Sequence, residues 1–345
     1  MPKRVSWKDK LRANPIPWLL EADASQPAIR YFTLRDIAGR SESDTVVREA
    51  RAAIMRTGPV PAILAAQAAD AHWSKPGPGY SPKYRSTVWQ VIFLAQLGAD
   101  AADAKVQTGC EYLLSHAIAT HGGFSVNGTP SGFNHCLAGN LEAALIDLDR
   151  LQDARVQSAL EMQARYITGA GVADARAEHT AERYYRITPG PLFACGRNGG
   201  LPCAWGAIKA LAALGKVPEK RRSKTMVRAI RQGTEFLLSH DPAIADYPHG
   251  SGDMPSSSWF KFGYPLGYVA DVLQNLEVLA ALGQAQEPRL AHALEMVTGK
   301  QDAQGRWRLE YSYQGKMWAD IEKKGKPSKW ITLRALRVLK AAYPD

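Results

Sequence analysis

The chain has 345 residues, 46% hydrophobic and 22% charged, with a formal net charge of +10. This is the composition of a globular chain with a real core, and no apolar run reaches the roughly 18 residues a membrane span needs. The basic residues are spread out. The one dense cluster, Lys220-Arg221-Arg222-Ser223-Lys224, reads as a loop, and no zinc-finger, RNP or helix-turn-helix signal accompanies it, so a small-molecule anion is a better partner than nucleic acid.

The first 26 residues read as an N-terminal extension, basic but without an apolar stretch of signal-peptide length, so the expected compartment is the cytoplasm. Four cysteines there point to metal binding, catalysis or burial rather than to a disulfide scaffold. From there the chain reads as helix nearly throughout. An apolar helix over 29–39 precedes an amphipathic one over 43–56. The alternation repeats as apolar 84–98 and amphipathic 102–117, then apolar 133–148 and amphipathic 153–168. It goes on with apolar 201–215, amphipathic 224–240, apolar 264–283, amphipathic 288–301 and apolar 328–342. Apolar helices belong inside and one-faced helices outside. Three inner helices open alike, with Thr33, Thr87 and Thr332 in register. The expectation is an all-α, single-domain (α/α)6 toroid of six inner and about six outer helices. The shared opening of the first and last inner helices favours a closed ring over an open solenoid.

Gln301-Asp302-Ala303-Gln304-Gly305-Arg306-Trp307 resembles the Q-x3-G-x-W repeat of the terpene (squalene) cyclase and protein prenyltransferase superfamily, with weaker copies ending at Trp73 and Phe124. The resemblance implies an α/α toroid. Residues 128–140, 199–209, 259–273 and 317–340 are also similar to a group of bacterial proteins of this length, some labelled nitrogen-fixation proteins. The chain has no P-loop or iron–sulfur spacing to match that label. It departs from the superfamily's catalytic motifs. No Asp-x-Asp-Asp is present, and Asp147-Leu148-Asp149 falls at a helix C-terminus. The stretch from Gly196 to Trp205 resembles the prenyltransferase segment around its zinc cysteine, which implies Cys203 as ligand, but Leu201 stands in place of the aspartate and 263–271 holds no histidine. In constellation, Cys195, Cys203 and His135 are similar to the cysteines and histidine of bacterial linalool dehydratase-isomerases.

In a toroid the inner-helix N-termini gather at one mouth, where helix dipoles favour anions. Catalytic candidates there are His135 as acid or base, Cys203 in a first helical turn where the dipole would favour thiolate, and Cys195 folding back over Gly199-Gly200. Tyr268 and Asp271, three apart, would share a helix face across the cavity. Arg30, Arg85 and Lys329 would form a cationic rim for a carboxylate, phenolate or phosphate, or else salt bridges with acids such as Asp36, Glu310 or Glu322. Tyr84, Trp89, Trp205, Trp259 and Trp330 would line the walls, and the 245–260 loop with His249 would lid them. If zinc is present, Cys195, Cys203, His135 and Cys136 are its ligands. Cys110 reads as core, and buried filler remains open for the other three cysteines. The expected function is acid/base lyase or isomerase chemistry on an apolar terpenoid or aromatic molecule with a polar or anionic end. A zinc-dependent transferase or hydrolase and a non-catalytic carrier are the alternatives. Nothing in the sequence chooses between a monomer and a ring of subunits.

Overall fold

A computed structural model describes residues 5–174, 176–177, 182–185, 190–250 and 256–345. The fold is all-α. In chain order the helices are α1 (Ile16–Leu19), α2 (Pro27–Phe32, continued by a π-helical turn over Thr33–Ile37), α3 (Thr45–Ile54), α4 (Pro59–Ala65), α5 (Thr87–Gln96), α6 (Ala104–His116), α7 (His135–Asp147), α8 (Ala154–Thr168), α9 (Ala204–Lys216), α10 (Lys224–Leu238), α11 (Val272–Ala281), α12 (Ala291–Gly299) and α13 (Lys329–Ala342). Among the described residues the one sheet pairs β1 (Trp307–Arg308) antiparallel with β2 (Pro327–Ser328).

The helix starts follow from their caps. Asp44, Asp103, Asp153 and Ser223 accept a backbone N–H two or three residues on and open α3, α6, α8 and α10. Asn134, Asp271 and Ser328 do the same for α7, α11 and α13. The two helix types separate as their patterns require. Thr87 to Ala95 of α5 are buried without a break, while α3 buries Val47, Ala50 and Ile54 on one stripe. One expected helix is shorter than its pattern. Residues 264–270 run as a loop, because Pro265 lacks an N–H and Gly267 adds freedom, and α11 begins only after Asp271.

The apolar helices are neighbours in sequence order. α5 packs on α7, α7 on α9, α9 on α11, α11 on α13 and α13 on α2. The Phe32 ring of α2 then reaches Gly98, just past α5. The 264–270 loop crosses between these helices. Gln96 exchanges two hydrogen bonds with Leu266, at 2.7 and 2.8 Å, and Asn140 Nδ2 donates to the Gly267 carbonyl at 3.0 Å. The closest approach is α7 against α9. A Cβ on Gly139 would lie 2.3 Å from the Lys209 backbone, so only glycine permits the contact. That contact brings the first turns of α7 and α9 together.

Two tryptophans tie outer helices to inner ones in the same way. Trp73 and Trp307, each fully buried, donate indole N–H to Ile63 and Val297, ten residues earlier in each case. Their backbone N–H groups donate to Thr87 Oγ1 at 3.1 Å and Thr332 Oγ1 at 3.0 Å. Gln301, the motif glutamine, bonds the Thr298 carbonyl at the end of α12 and the backbone of Lys10 and Arg12. The N-terminal segment is further fixed by a hydrogen bond from Trp7 N to the Tyr343 carbonyl, 2.8 Å. Cys110 is buried within α6, as its apolar surroundings require.

Candidate functional site

A cavity of about 730 Å³ opens where α7, α9 and the loop before α11 begin. Its walls are ring-rich: Tyr80, Trp89, Trp205, Tyr247, Trp259 and Tyr268. Tyr268 meets Trp89 and Trp205 edge-on at 6.4 and 6.2 Å between ring centres. The polar lining includes Cys136, Cys195, Cys203, Lys83, Arg197 and Asn198, and no aspartate or glutamate is found among the described lining residues.

The cysteine pair is set by a short hairpin. Ala194 pairs with Pro202, Cys195 N donates to the Leu201 carbonyl and Cys203 N to the Phe193 carbonyl, each 3.0 Å. This makes Cys195 and Cys203 diagonal neighbours with hydrogen-bonded thiols. Asn198 holds the hairpin to the lid segment, bonding the Pro248 carbonyl and Gly250 N at 3.0 and 3.1 Å. His249 lines the cavity from that segment; residues 251–255 of the expected lid lie outside the described residues.

The structure reverses the expected roles of the two thiols. Cys203 is the N-cap of α9, yet its pKa is raised, because it gives its hydrogen bond to Cys195 and is buried. Cys195 is the more acidic thiol of the pair. The bond from Cys203 lowers its pKa to about 6 against the opposing effect of burial, helped by the Arg197 and Asn198 backbone N–H groups and the Arg197 charge. Cys136 also faces the cavity. Its thiol donates to Asn134 Oδ1 at 3.0 Å, and burial lifts its pKa to about 11.

Of the other expected residues, Trp205, Trp259, Tyr268 and Trp89 line the cavity. Tyr84 lies just behind it, stacked on Tyr313 at 4.0 Å and hydrogen-bonded to Tyr268. His135 does not face the cavity. Its ring is buried between Phe133 and Phe193 beside the Gly190 backbone, and burial depresses its pKa to about 4. Helix α7 turns about 100° per residue, so Cys136 takes the inward position that His135 was expected to hold. The ligand set Cys195, Cys203, Cys136 and His135 is therefore not assembled, and among the described residues no three His, Cys, Asp or Glu side chains are grouped to hold a metal ion. Asp271 shares no helix face with Tyr268. It caps α11 and pairs with Arg334 at 3.2 Å, both buried.

The expected cationic rim is not formed. Lys329 is buried against Asp23 and Glu21, at 3.0 and 3.6 Å. Arg85 is exposed and lies over the Trp318 ring, and Arg30 lines neither large cavity. Trp330 stacks on Tyr264 and lines a second cavity of about 630 Å³ at the opposite ends of the same helices, beside Asp147, Lys216 and Ala281. The cations of the first cavity are Lys83 and Arg197, and with Tyr80 they lie in loops where no periodicity marks them. Beneath Trp205, one helical turn on, Lys209 is fully buried. Its Nζ donates to Gln274 Oε1 at 2.5 Å, and burial pulls its pKa to about 7.

Among the described residues no helix is long and apolar enough to cross a membrane. No family model and no curated protein matches the chain.

Proposed function

We propose that the chain is an (α/α)6-toroid enzyme that moves protons on an apolar small molecule, isoprenoid or aromatic, in lyase or isomerase chemistry. The observation that carries this is the Cys195–Cys203 pair, two bonded thiols in a ring-lined cavity with proton affinities driven apart. Such a split is how one environment makes a base and an acid from like groups. Cys195 would accept a proton as thiolate, and Cys203 would supply one. The aromatic walls would hold the substrate body and, with the lid segment, exclude water. A cavity of about 730 Å³ is within the range of small-molecule sites.

The test is the pH dependence of iodoacetamide alkylation, read residue by residue by mass spectrometry. Cys195 should react with a midpoint near 6, and Cys203→Ala should raise that midpoint toward 9, the ordinary thiol value. Deuterium incorporation from D2O into a panel of terpenoid and arylalkyl alcohols should then be lost in Cys195→Ala. A Cys195 midpoint near 9 in the unaltered chain removes the base and with it the proposal.

A further inference from the structure

We propose that the cavity selects an amphiphilic anion, an apolar body ending in one carboxylate, and that Lys83 and Arg197 hold that end. The inference rests on the cavity being a small-molecule site as proposed above. It starts from a charge inventory. The described lining residues include two permanently cationic side chains and no carboxylate. Both cations lie on the Tyr80 side of the cavity. Lys83 Nζ stands 5.6 Å from the centre of the Tyr80 ring and 4.6 Å from that of Tyr268, and the Arg197 charge acts on the Tyr80 hydroxyl and on the Cys195 sulfur.

The opposite mouth shows what a mouth with paired charges looks like in this fold. There Arg35 and Arg337 pair with Asp36, Lys216 with Asp147, and Arg334 with Glu277. Lys83 and Arg197 form no such ion pair among the described residues, and Lys83 lies over the rings of Tyr80 and Tyr268. The starts of α7 and α9 add positive dipole ends on the same side. Arg197 presents a planar fork suited to a carboxylate, and Lys83 a point charge in the same lining. The aromatic wall then receives the apolar body.

Three probes with one tail separate the possibilities: geranic acid, geraniol and geranylamine, titrated near neutral pH against the intrinsic tryptophan fluorescence. The expected result is geranate binding about tenfold tighter than geraniol at low salt, a modest gap because both cations are partly solvated. Salt should shrink the gap, and Lys83→Met with Arg197→Gln should close it by weakening geranate binding. Both side chains are exposed, so the variant should fold. Equal affinities, or a preference for geranylamine, overturn the inference. If no probe binds while Cys195 keeps its fast alkylation, this inference falls and the proton-transfer reading stands. If geranate is preferred while Cys195 reacts as an ordinary thiol, the reverse holds.

Discussion

Three buried side chains make the stability of the fold depend on pH in opposite directions. Glu142 is buried with neither oxygen hydrogen-bonded, and burial lifts its pKa from 4.5 to about 8. Between those values the folded chain keeps a proton that the unfolded chain has released, so stability falls as pH rises, by up to about 1.4 kcal/mol per pH unit. His135 lies seven residues before Glu142, on the same face of α7, and does the opposite. Its pKa falls from 6.5 to about 4, so over that window the unfolded chain holds the extra proton and stability rises with pH. Lys209 acts in the same sense as His135 between about 7 and 10.5. Glu142→Gln removes one contribution alone. Urea unfolding at pH 5, 6.5 and 8 should show the variant gaining on the parent chain at each step, and a constant difference would exclude a neutral Glu142. The α7 pair also shows a limit of sequence reading. The helix was legible from its apolar run over 133–148, but His135 and Cys136 sit side by side in sequence, and only packing against α8 and α9 decides which faces the cavity.

At the scale of elements, the tryptophan repeat was legible because its chemistry is local. The indole must reach the end of the preceding outer helix, and the next inner helix must begin with a threonine. The copy at 67–73 is complete in geometry although its sequence departs from the motif. Ala71 adopts φ 72°, matching Gly305 at φ 71° in the other copy. A left-handed alanine costs roughly 1 kcal/mol relative to glycine. Ala71→Gly should therefore stabilise the chain by about 0.5–1 kcal/mol. Gly305→Ala should destabilise by more, because its Cβ would also fall 2.1 Å from the Ala13 carbonyl oxygen. Thermal melts of the two variants should move in opposite directions; movement in the same direction would break the equivalence of the copies. The first part of the helix expected over 264–283 failed for a reason of the same kind. Apolar periodicity continued through Pro265 and Gly267, but those residues turn the backbone into a loop, and Asp271 became a cap rather than a cavity wall.

At the scale of the molecule, the cavity was legible and its charges were not. Aromatic and cysteine residues at the starts of inner helices were visible because helix starts can be read from caps and apolar runs. Which cations face the cavity depends on loops, and Lys83 and Arg197 line it where Arg30, Arg85 and Lys329 were expected. The two cavities at opposite ends of the same helices differ in the same respect, one with charges paired within the protein and the other with two cations that form no ion pair among the described residues. The two ends of the chain also meet. Trp7 N bonds the Tyr343 carbonyl, and Lys8 Nζ reaches Asp345 at 3.1 Å. A short linker from residue 345 to residue 5 would thus span little distance, and the chain could be reopened in the exposed turn at Glu219–Arg221 between α9 and α10. Such a circular permutant keeps every inner-helix contact and should melt within a few degrees of the parent, whereas a cut without the linker should not. The order in which the helices are synthesised would then be separable from the packing they reach, since the contacts that join α13 to α2 form whichever helix comes first.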